Sequence, residues 1–96
     1  MIFQYTPQFV DDFSNLEKRH KRYFKEELEN IEKALEGDTQ LYSRHRVQKM
    51  KGHDYICEAH VRGDNLCITF HYSKNNKGDK VCFLRRIGNH SIYNTP

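Results

Sequence analysis

The run Val81-Cys82-Phe83-Leu84-Arg85-Arg86-Ile87-Gly88-Asn89-His90-Ser91-Ile92-Tyr93 begins with four residues that are apolar on both faces of an extended chain, then places two arginines, a glycine and a histidine in quick succession. A strand that is apolar on both faces belongs inside a sheet. Arg86 and His90 therefore leave a rigid sheet at its end, which is where binding and catalytic groups are built. Gly88 lets the backbone turn between them, and an arginine with a histidine four positions on can converge on one anionic group such as a phosphate. Strand parity does not say which of Arg85 and Arg86 points that way. The plainer alternative is a capped strand end whose charges are solvated.

The partners of that strand lie upstream. Leu66 to Tyr72 alternates, with Leu66, Ile68, Phe70 and Tyr72 on one face, and Tyr55 to Arg62 alternates too, with Tyr55, Cys57, Ala59 and Val61 opposite Ile56, Glu58, His60 and Arg62. Gly63-Asp64-Asn65 makes the hairpin turn between these two strands. Ser73 to Lys80 is a long polar loop carrying Lys74, Lys77 and Lys80. Leu41 to Met50 is strand-compatible and closes on the turn Lys51-Gly52-His53-Asp54.

The first part of the chain is helical. Ile2-Phe3-Gln4-Tyr5 is a short strand candidate, after which Thr6 serves as N-cap and Pro7 as first helical residue. Phe9, Phe13 and Leu16 repeat at helical spacing. Glu17 to Arg22 is wholly polar and marks a break; Phe24, Leu28, Ile31 and Leu35 then hold a second helix that ends at Gly37. The order is that of an α+β fold, one antiparallel-rich sheet packed against a helical hairpin, and 96 residues suffice for one such domain.

Charge is unevenly spread. Residues 1–40 carry six Lys/Arg and nine Asp/Glu, whereas residues 41–96 carry ten and four, a balance of +6, together with five of the six histidines. A basic, histidine-rich half beside an acidic helical half suits a polyanion, most plausibly nucleic acid. There is no apolar run of membrane-spanning length and no signal-peptide pattern at Met1-Ile2-Phe3-Gln4-Tyr5, so a soluble cytoplasmic protein is expected. Cys57, Cys67 and Cys82 sit inside strand-like runs, an odd number without a CxxC pair, as buried reduced thiols do.

His45, His60, Asp64, Arg86 and His90 lie on or beside strands that neighbour one another in any meander of this order. Side chains of these types suit metal-free cleavage of an RNA phosphodiester: a base takes the 2′-hydroxyl proton, a fixed cation stabilises the phosphorane-like transition state, and an acid protonates the departing 5′-oxygen. Histidine, with an ordinary pKa of about 6.5, serves either role. The competing chemistry is a His/Asp metal site, but no His-x-x-x-His pair is present, so neither a metal nor another cofactor is expected.

These residues carry a likeness to a known family. Lys18-Arg19-His20-Lys21 between the helices, Tyr42-Ser43-Arg44-His45 entering the sheet, Ala59-His60-Val61 with Asp64 four residues past His60, and Arg86-Ile87-Gly88-Asn89-His90-Ser91 at the end resemble, in order and spacing, the RelE/ParE superfamily of type II toxins. Within it the chain looks most like the YafQ-like ribosome-dependent endoribonucleases. The resemblance covers nearly the whole chain and implies a β-α-α-β-β-β(β) fold. It also implies cleavage of mRNA in the ribosomal A site, and a free monomer that joins a cognate antitoxin in a hetero-oligomer. Carried over residue by residue, it puts His45, His60, Asp64 and His90 in the acid/base set and Arg86, rather than Arg85, on the scissile phosphate; Lys51, Arg62, Arg85 and Tyr93 are then further RNA contacts. Three departures stand out: Asn65 where the pattern has Trp, Asn94 where it has an aromatic residue, with Tyr93 one position early, and longer segments at Ser73 to Lys80 and between His45 and His60. A ParE-like toxin that binds a protein target such as gyrase shares the fold and is the second hypothesis, although a binder has no reason to hold His60, Asp64, Arg86 and His90 together. A nucleic-acid-binding module without catalysis is the third.

Overall fold

The computed structural model describes residues 1–63 and 65–96, so Asp64 lies outside the described residues. Thr6 caps the first helix as its residue type predicts, its hydroxyl accepting from the Phe9 N–H at 3.1 Å with Pro7 at the first helical position. From there the elements run β1 (Ile2–Tyr5), α1 (Pro7–Ser14), α2 (Lys18–Leu35), α3 (Thr39–Arg44), β2 (Gln48–Lys49), β3 (Cys57–Arg62), β4 (Leu66–Lys74), β5 (Lys80–Gly88) and a closing 3-10 helix, His90–Asn94. Among the described residues the strands form one five-stranded sheet in the order β1-β5-β4-β3-β2, with β1 parallel to β5 and every other pair antiparallel. The apolar strand at Val81 is thus interior, flanked by β1 and β4.

Helices α1 and α2 pack on one face of this sheet. Phe9, Phe24, Ile31, Ala34 and Leu35 meet Ala59, Val61, Ile68, Phe70, Leu84 and Ile87 there, all nearly or fully buried. Gly37, with φ of 112°, ends α2 in the left-handed conformation that glycine tolerates.

Three local expectations are corrected. The polar stretch Glu17 to Arg22 is not a gap between helices: α2 starts at Lys18, because the break needs only residues 15–17 and the charged first turn is solvated. Leu41 to Met50 is not one strand. Asp38 accepts from the Leu41 N–H and caps a six-residue helix, α3, which leaves only Gln48–Lys49 to pair with β3; a capping aspartate overrides a weak strand pattern over so short a span. The polar loop is also shorter than the composition indicates, since β4 and β5 extend to Lys74 and Lys80 and the turn is held by Asn75, whose side chain accepts from the N–H groups of Lys77 and Asp79.

The second face of the sheet is covered as well. Cys67 and Thr69 lie on the opposite side from Leu66, Ile68 and Phe70, yet both are fully buried. The 3-10 helix and the residues after it fold back over them, and the Thr69 hydroxyl donates to the Pro96 carbonyl at 3.1 Å. Gly88 permits this return by its lack of a side chain rather than by its φ, since a Cβ there would stand 2.9 Å from Ile92 Cγ2.

Candidate functional site

His60, Cys67 and Gly88 are register partners across β3, β4 and β5. His60 and Cys67 therefore point to the same face from neighbouring strands, and the chain turns two residues past Gly88 to bring His90 back over them. Asn89 fixes that turn, its side chain accepting from the Ser91 N–H at 2.8 Å. The His60 and His90 rings meet edge to face with centroids 5.6 Å apart, and the His90 ring stacks on Tyr93 at 5.3 Å. His60 Nδ1 lies 3.9 Å from Cys67 Sγ and 3.3 Å from the Gly63 carbonyl oxygen. The Tyr93 hydroxyl is buried beside Cys67, and burial first, then the thiol, pushes its pKa well above the ordinary phenol value.

His45 stands behind this pair. It follows the last residue of α3 and is only 3 % exposed. Its Nδ1 lies 2.8 Å from the His60 carbonyl oxygen; a carbonyl can only accept, so Nδ1 carries the proton. The His60 N–H in turn donates to the His45 carbonyl at 2.7 Å. Arg46, next in the chain, has φ of 51°, the only left-handed non-glycine among the described residues, and this turns the backbone from α3 toward β2.

Beside His60 opens a cleft of about 190 Å³ lined by Glu27, Arg44, His45, Arg46, His60 and Arg62, among others. Glu27 is its buried anion. Burial works to raise its pKa, but hydrogen bonds from Arg62 and Asn30 and the charges of Arg44 and Arg62 outweigh that and hold it below the ordinary carboxyl value. Arg62 donates to Glu26 at 2.9 Å and to Glu27 at 3.0 Å, and its guanidinium lies 4.4 Å over the Tyr23 ring. The cleft is therefore edged by three arginines, two of which, Arg44 and Arg62, are drawn to one buried carboxylate.

The two arginines of β5 are separated by a bulge. Thr69 pairs with Arg86 and Phe70 with Leu84, leaving Arg85 without an opposite residue. Arg86 forms a two-pronged ion pair with Asp12 of α1, both N···O distances 3.0 Å, and donates to Thr95 Oγ1 at 2.8 Å and to the Thr95 carbonyl at 3.2 Å. Asp12 also accepts from the Ile87 N–H at 3.3 Å, satisfying the edge of β5 where β1 has ended. Burial tends to raise the Asp12 pKa, and the bonds from Arg86, Gln8 and Ile87 bring it below the ordinary value. Arg85 instead donates to the Pro96 carbonyl at 3.1 Å and to His71 Nδ1 at 3.0 Å, near the exposed ring of Tyr55. Burial and the Arg85 charge lower the His71 pKa, which keeps that nitrogen an acceptor.

Of the residues singled out from the sequence, His60, His90 and Tyr93 come together, with His45 behind them and Arg62 in the adjoining cleft. Arg86 and Arg85 are held on β5 by Asp12, Thr95, His71 and Pro96. Lys51 is exposed in the turn between β2 and β3, and Asp64 lies outside the described residues. Sequence reasoning missed Glu27, Arg44, Arg46 and Cys67. Glu27 had a signal, since it falls in helical phase between Phe24 and Ile31, where an acid is out of place unless paired. Arg44-His45-Arg46 is a basic triplet. Cys67 gave no sign, because only the register across β3 and β4 puts it beside a histidine.

No protein-family model and no curated protein sequence matches the chain. Solved structures do. YafQ from E. coli strain BL21(DE3) superposes with a TM-score of 0.67 at 18% identity, covering 95% of this chain and 94% of that one. YafQ in the E. coli DinJ-YafQ complex gives 0.65 at 23% identity over 93% and 92%. The RelB-RelE antitoxin-toxin complex from Methanococcus jannaschii gives 0.60 at 19% identity over 96% of each chain. The fold is that of the YafQ and RelE toxins. In this YafQ-like fold the β-α-α-β order expected from the resemblance holds, with α3 added before the sheet, and the paired histidines stand on β3 and just past β5.

Proposed function

We propose that this protein is the toxin of a type II toxin-antitoxin pair and acts as a ribosome-dependent, metal-free endoribonuclease on mRNA in the cytoplasm. The observation that carries the reading is the meeting of His60 and His90, 30 residues apart in sequence, ring to ring at 5.6 Å beside a cleft edged by arginines. Two imidazoles in contact can aim ring nitrogens at one phosphodiester lying over them, one as base toward the 2′-hydroxyl and the other as acid toward the 5′-oxygen. The attacking oxygen loses its proton to the first imidazole as the P–O bond forms; the leaving oxygen takes a proton from the second as its bond to phosphorus breaks. Arg44, Arg46 and Arg62 draw the RNA backbone toward the cleft. Arg86 meets the scissile phosphate by exchanging Thr95 for it, while Asp12 keeps the guanidinium plane oriented. Asp64 completes the acid/base set, and Lys51, Arg85 and Tyr93 add contacts to the RNA. His45 serves as the residue that positions His60.

A cognate antitoxin as partner is supported by the neighbours, which include antitoxin-toxin complexes. A cognate antitoxin with acidic and apolar residues suits both the basic half of the chain and the aromatic hollow of about 200 Å³ between Tyr5, Phe9, Val10, Phe13 and Phe24. A primer-extension map of a transcript after brief induction tests the activity. Discrete in-frame breaks that vanish in His60→Ala support the nuclease. Intact message with stalled replication would replace it by the gyrase-binding alternative.

A further inference from the structure

The sequence shows no histidine pair at metal-ligand spacing, yet the tertiary structure assembles a ligand set from three separate elements. One ligand atom each from His60, Cys67 and His90 lies within 4.8 Å of the other two. We infer that these three side chains form a zinc site, and that zinc bound there competes with the chemistry of the paired histidines. The inhibitory half of this inference rests on the function proposed above; the binding half does not.

Geometry favours a tetrahedral ion. With Zn–S of about 2.3 Å and Zn–N of about 2.0–2.1 Å, neighbouring ligand atoms stand roughly 3.3–3.6 Å apart. The observed 3.9 Å between His60 Nδ1 and Cys67 Sγ is a few tenths longer, and the 4.8 Å limit leaves about an ångström to close. Imidazoles on adjacent elements close such a gap by small side-chain rotations. Among the described residues, the contact His60 Nδ1 gives up is the long 3.3 Å one with the Gly63 carbonyl. His90 is the first residue of a five-residue 3-10 helix and is placed by ring contacts with His60 and Tyr93, so it can adjust without disturbing the core.

The donor set selects the metal. Two imidazoles and a thiolate suit zinc, or cobalt as its spectroscopic substitute, and poorly suit magnesium or calcium, which prefer oxygen. Cys67 is rigid, at the middle of the sheet and fully buried, so the thiolate comes from the fixed side while the two imidazoles come from the open side. Three protein ligands leave a fourth position for water. A zinc ion here occupies the nitrogen lone pairs that base catalysis needs, so metal and substrate exclude each other.

The test uses the untagged full chain after treatment with a chelator. Cobalt titration should give a thiolate-to-cobalt charge-transfer band that saturates at one ion per chain, and zinc should displace it. Cys67→Ser should abolish the band and His90→Ala should weaken binding by at least about tenfold, while both variants keep the wild-type circular dichroism spectrum. His90→Ala is the safeguard against misfolding of the buried Cys67→Ser, because His90 is exposed. Absence of the band, or cobalt binding undiminished in both folded variants, overturns the site. Cleavage on programmed ribosomes is read separately: zinc should stop the wild type at one equivalent, and whatever cleavage Cys67→Ser retains should need at least about tenfold more zinc to be lost. Site-bound zinc that leaves cleavage untouched or raises it overturns the inhibitory half alone. A protein that binds cobalt through Cys67 but cleaves nothing overturns the nuclease reading and keeps the site.

Discussion

His45 holds His60 by both of its backbone polar groups: the imidazole Nδ1–H donates to the His60 carbonyl at 2.8 Å, and the His45 carbonyl accepts the His60 N–H at 2.7 Å. A buried histidine thereby fixes the strand position from which a partly exposed one works. His45→Ala should destabilise the fold by about 2–4 kcal/mol, through lost core volume and an orphaned carbonyl. His45→Asn offers an amide N–H near the place of Nδ1–H and should recover much of both stability and cleavage. Urea unfolding and single-turnover cleavage check this; an alanine variant as stable and active as the wild type would remove the positioning role.

Asp12 and Glu27 make stability depend on acid pH. Both carboxyls have folded pKa values below their ordinary values of about 4, so the stability they contribute is present above the unfolded pKa and is lost as pH falls through the folded one. The urea midpoint of the wild type should fall steeply below about pH 4. Asp12→Asn should start about 1.5–3 kcal/mol lower at pH 7, having lost charged hydrogen bonds, and show a shallower acid limb. Equal limbs in the two proteins would mean that the Asp12–Arg86 pair contributes nothing.

Arg86→Lys keeps the charge and loses the planar fork that grips Asp12 and presents to phosphate. Cleavage at saturating enzyme should drop roughly a hundred- to thousandfold, a cost of about 2.7–4 kcal/mol, with ribosome binding much less affected. Arg85→Lys, on the bulge, should stay within a few fold of the wild type. The reverse order of effects in single-turnover assays would transfer the role to Arg85.

Expression without an antitoxin should arrest growth, and His90→Ala should relieve the arrest at unchanged melting temperature, because the side chain is exposed and its removal opens no core cavity. Growth curves and thermal unfolding of the same variant decide it. A folded His90→Ala that arrests growth as the wild type does would separate toxicity from this histidine pair.

Gly88→Ala should act at a distance. The added Cβ meets Ile92 Cγ2 at 2.9 Å, so the 3-10 helix must move and carry His90 away from His60. A stability loss of about 1–3 kcal/mol is expected from overpacking, with a larger proportional loss of cleavage than of ribosome binding. Unaltered cleavage would show that the His60–His90 spacing is not critical.

Local chemistry was enough to foretell the start of α1, the end of α2 and the interior strand. Thr6 and Pro7 announce α1, Gly37 closes α2, and Val81 to Leu84 is too apolar for an edge; each of these signals acts within a few residues and survives any tertiary context. The grouping of His60 with His90 was legible as a likeness of order and spacing. What only the tertiary structure decided depends on register and on contacts distant in sequence. A bulge at Arg85 cancels the alternation from which strand faces are inferred, so the separate anchoring of Arg85 and Arg86 had no local sign. Asp12 looks like an ordinary acid in a helix until β1 ends and leaves the Ile87 N–H and the Arg86 fork for it to satisfy. His45 becomes a clamp on His60 because the chain leaving α3 buries it, and Cys67 joins two histidines because β3 and β4 pair at that register. Helix caps and apolar periodicity are written along the chain, whereas which polar groups share a site is set by pairing across it.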